Sequence, residues 1–209
     1  MREDGHTDLE VRGPNIGLRV PRADDAKRLF ELAGNEEVTR WFSWGPYSDE
    51  GDAVQWLATL PGRRADGTAL ELVIVDRDDR VVGMIAVLEV SRRDRRSILG
   101  VWIGRAYWGT GVNREAQALF MHLVFGPLRM ERIGAWVDVR NTRSQRALEG
   151  VGYVREGVLR GWHRHADERR DLVSYAVLRE DWVRSELAAT EVEIRGRPPE
   201  AFVCAERRS

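Results

Sequence analysis

The 209-residue sequence predicts one mixed α+β domain, a single sheet with helices on both faces. Three observations predict it. Three strand-like segments follow one another between residues 69 and 104, separated only by the charged turns at Asp78-Asp79 and 92–96. Helical apolar spacing recurs on either side of them, at Ala26, Leu29, Phe30 and Ala33 and again at Val112, Ala116, Leu119, Phe120 and Leu123. The last of the three strands meets the second of these helices through a loop with paired glycines, Tyr107-Trp108-Gly109-Thr110-Gly111-Val112-Asn113. A doubly wound fold would alternate strand and helix throughout, and three hairpin-connected strands in series argue against it.

Each element has its own local signal. Residues 16–21 read as a short strand, followed by the Ala26-to-Ala33 helix, which Gly34 stops. The segment Trp41-Phe42-Ser43-Trp44-Gly45-Pro46-Tyr47 breaks the helical period with aromatics and a Gly-Pro pair. Ser48-Asp49-Glu50 then opens a second helix with an N-cap and first-turn acids, and Val54, Leu57 and Leu60 are its expected buried stripe. Strands follow at 69–76, 80–90 and 97–104. After the glycine loop come the helix from Val112, a strand at 132–139, a short helix at 142–150 closed by Gly152, and strands at 153–161 and 171–178. That makes seven strands. The polar ends, 1–13 and 185–209, are expected to stand outside a domain spanning 14–184.

Composition narrows the class. With 43% hydrophobic and 32% charged residues, the chain can bury one sizeable core. A formal net charge of -1 leaves no basic field to favour nucleic acid or an anionic membrane. Lys27 is the single lysine among 33 basic residues, a bias that points to genome composition rather than to a binding surface. A single cysteine, Cys204, rules out an internal disulfide framework and fits a reducing compartment. No apolar run is long enough for a membrane helix, and the polar, acidic N-terminus is unlike a signal peptide, so a cytoplasmic location is expected.

The glycine loop is the first candidate site. A dinucleotide turn needs a third glycine, and Arg114 stands in its place; no Gly-Lys-Ser/Thr follows, so a triphosphate loop is excluded too. An anion can still bind, because successive N–H groups ahead of a helix converge on it, and Gly109 and Gly111 let the backbone approach closely. An ordinary tight turn is the other reading of a bare glycine pair.

The region from Gly100 to Gly157 resembles the GNAT acyltransferase superfamily, and within it the RimJ/RimL-like branch. The residues that carry the resemblance are "LGVWIGRAYWGTGVNREA" and "RIGAWVDVRNTRSQRALEGVGYVREGVLR". The family's pyrophosphate pattern, Arg/Gln-x-x-Gly-x-Gly/Ala, falls on Trp108 to Asn113, departing from it at those two positions. The resemblance covers roughly residues 14–184. It implies a GNAT-like, mostly antiparallel seven-stranded sheet and an acetyl-CoA-dependent N-acetyltransferase. By resemblance, coenzyme A would lie on Trp108, Gly109, Thr110, Gly111, Val112, Asn113 and Arg114. Backbone N–H groups of the strand at Val101, Trp102 and Ile103 would face the oxyanion, and the transfer would be a direct attack with no covalent enzyme intermediate. Asn141-Thr142-Arg143-Ser144 matches the branch's Asn-x-x-Ser, implying that Asn141 bonds the pantetheine arm and that Ser144 gives a proton to the departing sulfur. Local physics offers a second reading, Asn141 as N-cap and Ser144 as a first-turn residue.

Glu89, near a strand end and expected to project into the cleft, and Asp138 are the candidate bases, with a water chain as the third. Trp41, Trp44 and Tyr47 are expected to form one wall of the acceptor site, which Glu89 could also reach, with Trp162 and His163 opposite. Simple packing of the aromatic loop onto the domain is the rival explanation. Trp162-His163-Arg164-His165 has no third ligand cluster, so no metal is expected. Tyr175 reads as a core aromatic and Asp171 as a structural acceptor. The expected acceptor is a primary amine of a small molecule such as an amino acid or antibiotic. The alternatives are a protein N-terminus, for instance of a ribosomal protein, and a non-catalytic acyl-CoA-binding module. Neither nucleic acid nor membrane is an expected partner, and a homodimer stays open.

Overall fold

A computed structural model describes residues 8–165 and 167–205. All seven expected strands form, as β2 (Gly17–Arg19), β3 (Ala69–Val75), β4 (Val81–Ser91), β5 (Arg96–Ile103), β6 (Arg132–Asp138), β7 (Val154–His165) and β8 (Glu168–Leu178). Two three-residue strands join them, β1 (Glu10–Arg12) and β9 (Glu193–Arg195). The single sheet runs β7-β8-β6-β5-β4-β3-β2-β1-β9. Every pair is antiparallel except β5 with β6.

The helices are α1 (Ala26–Ala33), α2 (Glu36–Thr39), α3 (Glu50–Ala65), α4 (Val112–Phe125), α5 (Thr142–Glu149) and α6 (Arg179–Trp182). α4 lies at the centre of the larger core. Ala116, Leu119, Phe120 and Leu123 are buried in it, and Leu70, Leu72 and Ile74 reach the same core from one face of β3. The strand's other face sends Val73 and Val75 toward the smaller core, built with Leu29 of α1 and Ala53 of α3. Strand alternation therefore puts Glu71, two residues before Val73, on the α1/α3 side.

Two expectations need correction. Of the expected stripe of α3, Leu60 is buried and Leu57 packs against the smaller core, whereas Val54 is 51% exposed and its neighbour Ala53 is buried instead. The polar ends are not outside the domain. Leu9 and Val11 are buried, β1 pairs with β2, and β9 pairs with β1. Phe202 and Cys204 are fully buried, with the Cys204 N–H donating to the Leu128 carbonyl at 3.0 Å. The polar sequence concealed a few apolar anchors that only long-range pairing reveals. Residues 1–7 and 206–209 of those ends lie outside the described residues. Tyr175 is a core residue whose hydroxyl donates to Glu149 at 2.8 Å, and Asp171 accepts from the Gly161 N–H at 2.6 Å.

Candidate active site

β5 and β6 run parallel but pair only at Arg96–Arg132, Ser97–Ile133 and Ile98–Gly134. Beyond that point both continue, to Ile103 and Asp138, without bonding each other, while β5 stays paired with β4 as far as Ile103. A V-shaped gap opens between them. On its β5 side, alternate backbone N–H groups face the gap instead of a partner strand.

A cavity of about 370 Å³ occupies this region. Val101, Trp102 and Ile103 line it from β5, Trp108, Gly109 and Gly111 from the loop, and Asn141, Arg143 and Ser144 from α5. Asn113 and Arg114 of α4 complete the loop side. Of the expected coenzyme contacts only Thr110 and Val112 do not line it. The Thr110 hydroxyl donates to the Tyr107 carbonyl at 2.8 Å, bracing the turn, and Val112 packs on the core.

The loop's geometry follows from its glycines. Gly109 and Gly111 have φ of 78° and 91°, a left-handed conformation that side chains resist. A Cβ on either would meet nothing within 4 Å, so conformation and not crowding selects glycine here. Gly111 is the N-cap of α4 and has no side chain to satisfy the first-turn amides of Val112, Asn113 and Arg114. The first-turn acid Glu115 is turned aside, accepting from the Asn15 and Ile16 N–H groups at 2.7 and 3.2 Å. Arg143 lies 3.2 Å from the Trp108 ring centroid, with Arg105 also over that ring at 4.6 Å. Burial, and then the nearby Arg105, push the Arg143 guanidinium below its ordinary pKa. Arg105 is paired with Glu37 at 2.6 Å, which leaves the unsatisfied amides and Arg143 as a donor set that fits a pyrophosphate.

At α5, the Asn141 side-chain oxygen accepts from the Ser144 N–H at 3.2 Å, so the capping reading is realised. Asn141 and Ser144 both border the cavity as well, which leaves the second role open to them.

The two acids are elsewhere. Glu89 is exposed, at φ 46° in the irregularity between Leu88 and Ser91, and lines neither cavity of the site. Because Leu88 pairs with Ile98, it sits at the closed end of the V, and the expectation that it enters the cleft is corrected. Asp138 is 4% exposed and borders neither cavity. It accepts from the Arg140 backbone at 2.9 Å and from its guanidinium at 3.1 Å, with Arg170 at 3.8 Å. Burial alone would raise its pKa, but the Arg140 bonds and the two arginine charges together hold it below the ordinary carboxylate range. A carboxylate so held is a poor base.

A second cavity, of about 770 Å³, lies between α3, the aromatic segment and the face of β3, β4 and β5. Trp44 and Tyr47 line it, with Trp44 stacked on Phe42 at 5.2 Å and set edge-on to Trp102 at 6.0 Å. Phe42, Val101 and Trp102 border both cavities. Trp41 belongs to the first cavity instead, between the guanidiniums of Arg40 and Arg140 at 5.1 and 5.6 Å. Trp162 and His163 do not form the opposing wall. They lie on β7, outside both cavities, where Trp162 is 55% exposed with its ring 5.4 Å from Trp136. That wall is the sheet face itself.

Sequence reading missed Glu71, which borders the second cavity and is 3% exposed. The signal was a lone acid in the otherwise apolar run 69–75. Neither of its oxygens accepts a well-aligned side-chain hydrogen bond. Arg63 Nη1 approaches Oε1 to 2.8 Å, but its N–H directions miss the oxygen. Burial raises the Glu71 pKa, against the charges of Arg63 and Arg64 and its own backbone amide.

Comparison with known proteins supplies the name of this arrangement. The acetyltransferase (GNAT) domain family matches residues 15–154. YdaF of Bacillus subtilis, whose assigned role as a ribosomal N-acetyltransferase is provisional, is 25% identical over 80% of this chain and 93% of its own. A crystal structure from T. thermophilus, provisionally described as an acetyltransferase, is 33% identical, covers 86% of this chain and 95% of its own, and superposes with a TM-score of 0.74. Spermidine N-acetyltransferase from Vibrio cholerae, solved with CoA and spermine, shares the fold at 19% identity and a TM-score of 0.69, over 85% of this chain and 99% of its own. The chain belongs to the GNAT family and is an N-acetyltransferase that uses acetyl-CoA.

Proposed function

We propose that this enzyme acetylates the primary amine of a small molecule by direct attack on the thioester, and that it belongs to the RimJ/RimL-like branch. One observation carries the reading: the aromatic cavity meets the β5/β6 gap at Phe42, Val101 and Trp102. Its volume, about 770 Å³, suits a small organic ligand. Trp108-Gly109 and Asn141-x-x-Ser144 support the branch.

Acetyl-CoA supplies an activated acetyl group. The first-turn amides of α4 and the Arg143 guanidinium hold its pyrophosphate. Asn141, its oxygen already taken by the Ser144 N–H, offers its amide nitrogen to the pantetheine arm. The free N–H groups of β5 meet the negative charge that develops on the acyl oxygen as the amine attacks. The Ser144 hydroxyl returns a proton to the departing sulfur. Water carries away the amine's proton, since Glu89 is remote and Asp138 is locked.

A protein N-terminus is the second acceptor class, favoured by the resemblance to YdaF. A panel of small primary amines and N-terminal peptides, each with acetyl-CoA and read by thiol release, separates the two. Turnover of small amines is expected; turnover confined to peptides would overturn the small-molecule reading.

A further inference from the structure

Glu71 poses a physical problem. A carboxylate removed from water needs donors to replace its hydration, and this one has only an ill-aligned ion pair with Arg63, 2.8 Å from Oε1, its own backbone amide and the more distant charge of Arg64. Arg63, 39% exposed on its side chain, neutralises part of the charge without making a hydrogen bond. The carboxylate nonetheless borders open space, and the residues of the sheet create that space. Glu71 pairs with Ala86, and Ala86 pairs with Gly100, so one row across three strands carries an acid, a methyl group and a hydrogen atom. All three residues border the cavity. Larger residues at the second and third positions would fill it. Above the row stand Trp44, Tyr47 and Trp56, whose ring faces attract cations. The charged groups bordering the cavity are Asp52, Arg63 and Glu71, two acids against one base.

We infer that Glu71 is the anchor for a cationic group of the acceptor, so that the acceptor is a small molecule with an apolar body carrying two positive centres. One is the amine to be acetylated; the other pairs with Glu71 inside the aromatic enclosure. The spacing sets the division of labour. Glu71 lies two strands from β5, roughly 10 Å at about 4.8 Å per strand, too far to take the proton of an amine held at the β5/β6 gap. It is a positioning residue that selects the substrate. This assignment rests on the second cavity being the acceptor site.

The test uses matched probes: 1,4-bis(aminomethyl)benzene, with two cationic groups, and 4-methylbenzylamine, with one. Binding is followed by fluorescence of the cavity tryptophans, and acetylation by thiol release. The wild-type enzyme should prefer the dication by at least about tenfold. Glu71→Gln should abolish that preference through KM, and Glu71→Asp should keep part of it. Arg63→Gln, which leaves the carboxylate without its neighbouring cation, should enlarge the preference even if Glu71→Gln fails to fold. Equal affinity for the two probes in the wild type, or a preference that survives Glu71→Gln or shrinks in Arg63→Gln, overturns the anchor. If neither small amine releases thiol but the dication still binds through Glu71, the anchor stands and the small-amine acceptor reading fails instead.

Discussion

Asp138 and Glu71 are both acids almost wholly removed from water, at 4% and 3% exposure, on strands of the same sheet. Their surroundings are opposite. Asp138 is surrounded by donors, from the Arg140 backbone and guanidinium, and ties the end of β6 to the turn before α5. Glu71 faces a cavity with an ill-aligned arginine and no well-aligned side-chain donor. The first is the state of a carboxylate that serves architecture; the second is the state of one that keeps its hydrogen-bonding capacity for something absent. Burial alone therefore says little about an acid's role, and the accounting of its donors says most.

The largest effect expected from breaking this contrast is on Asp138. Asp138→Asn should lower the melting temperature by about 5 °C, measured by thermal unfolding, because it removes the charge that two arginines and a backbone N–H are arranged around. A smaller loss would mean that Arg140 is held by Glu168 rather than by Asp138. The glycine loop offers a control on the other side of the site. Gly111→Val, strained at φ 91° and placing a branched side chain toward the cavity, should weaken CoA binding at least about tenfold by calorimetry, or about 1.4 kcal/mol. Affinity for the amine should stay unchanged. Ser144→Ala should lower kcat about tenfold with little change in CoA affinity. If instead it lowers only the melting temperature, Ser144 is a first-turn residue and no more.

The smallest effect is the most pointed, because the two acids should respond to pH with opposite sign. The Glu71 pKa is raised in the fold, so its contribution to stability is present below its unfolded value of about 4.3 and is lost as pH rises through the folded one. The Asp138 pKa is lowered, so its contribution is present above about 3.9 and is lost as pH falls through the folded value. Glu71→Gln should therefore raise the melting temperature by about 2–4 °C near pH 7.5, with the gain vanishing near pH 4.5. The penalty of Asp138→Asn should persist between those two values. A Glu71→Gln variant less stable than wild type at pH 7.5 would make Glu71 a structural acid like Asp138.

The geometry of the glycine loop and of the Asn141 turn was legible in the sequence, because it is nearly local. The loop with Gly109 and Gly111, the helix it opens and the Asn141–Ser144 turn are each set by neighbours within a few residues. The second cavity was hidden because it is assembled across the sheet. Glu71 was visible as an acid in an apolar strand, but its meaning depends on Ala86 and Gly100, which register alone brings beside it. Glu89 misled for the converse reason: its strand was read correctly, but strand direction put it at the closed end of the V. The short strands β1 and β9 carry too few residues for any period to show, and they become strands only by pairing, β1 with β2 and β9 with β1.

The wall shared by the two cavities divides the site along the chain as well as in space. Nearly everything lining the larger cavity comes from residues 29–88, and most of the lining of the smaller comes from residues 101–151, with Phe42, Val101 and Trp102 as the seam. Such a layout is modular. A single added methylene at Ala86 or an altered aromatic at Trp44 can change which molecule is accepted without disturbing the loop that grips the donor. With the larger cavity receiving the acceptor as proposed, selectivity can be changed on one half of the chain while the other half keeps its grip on the donor.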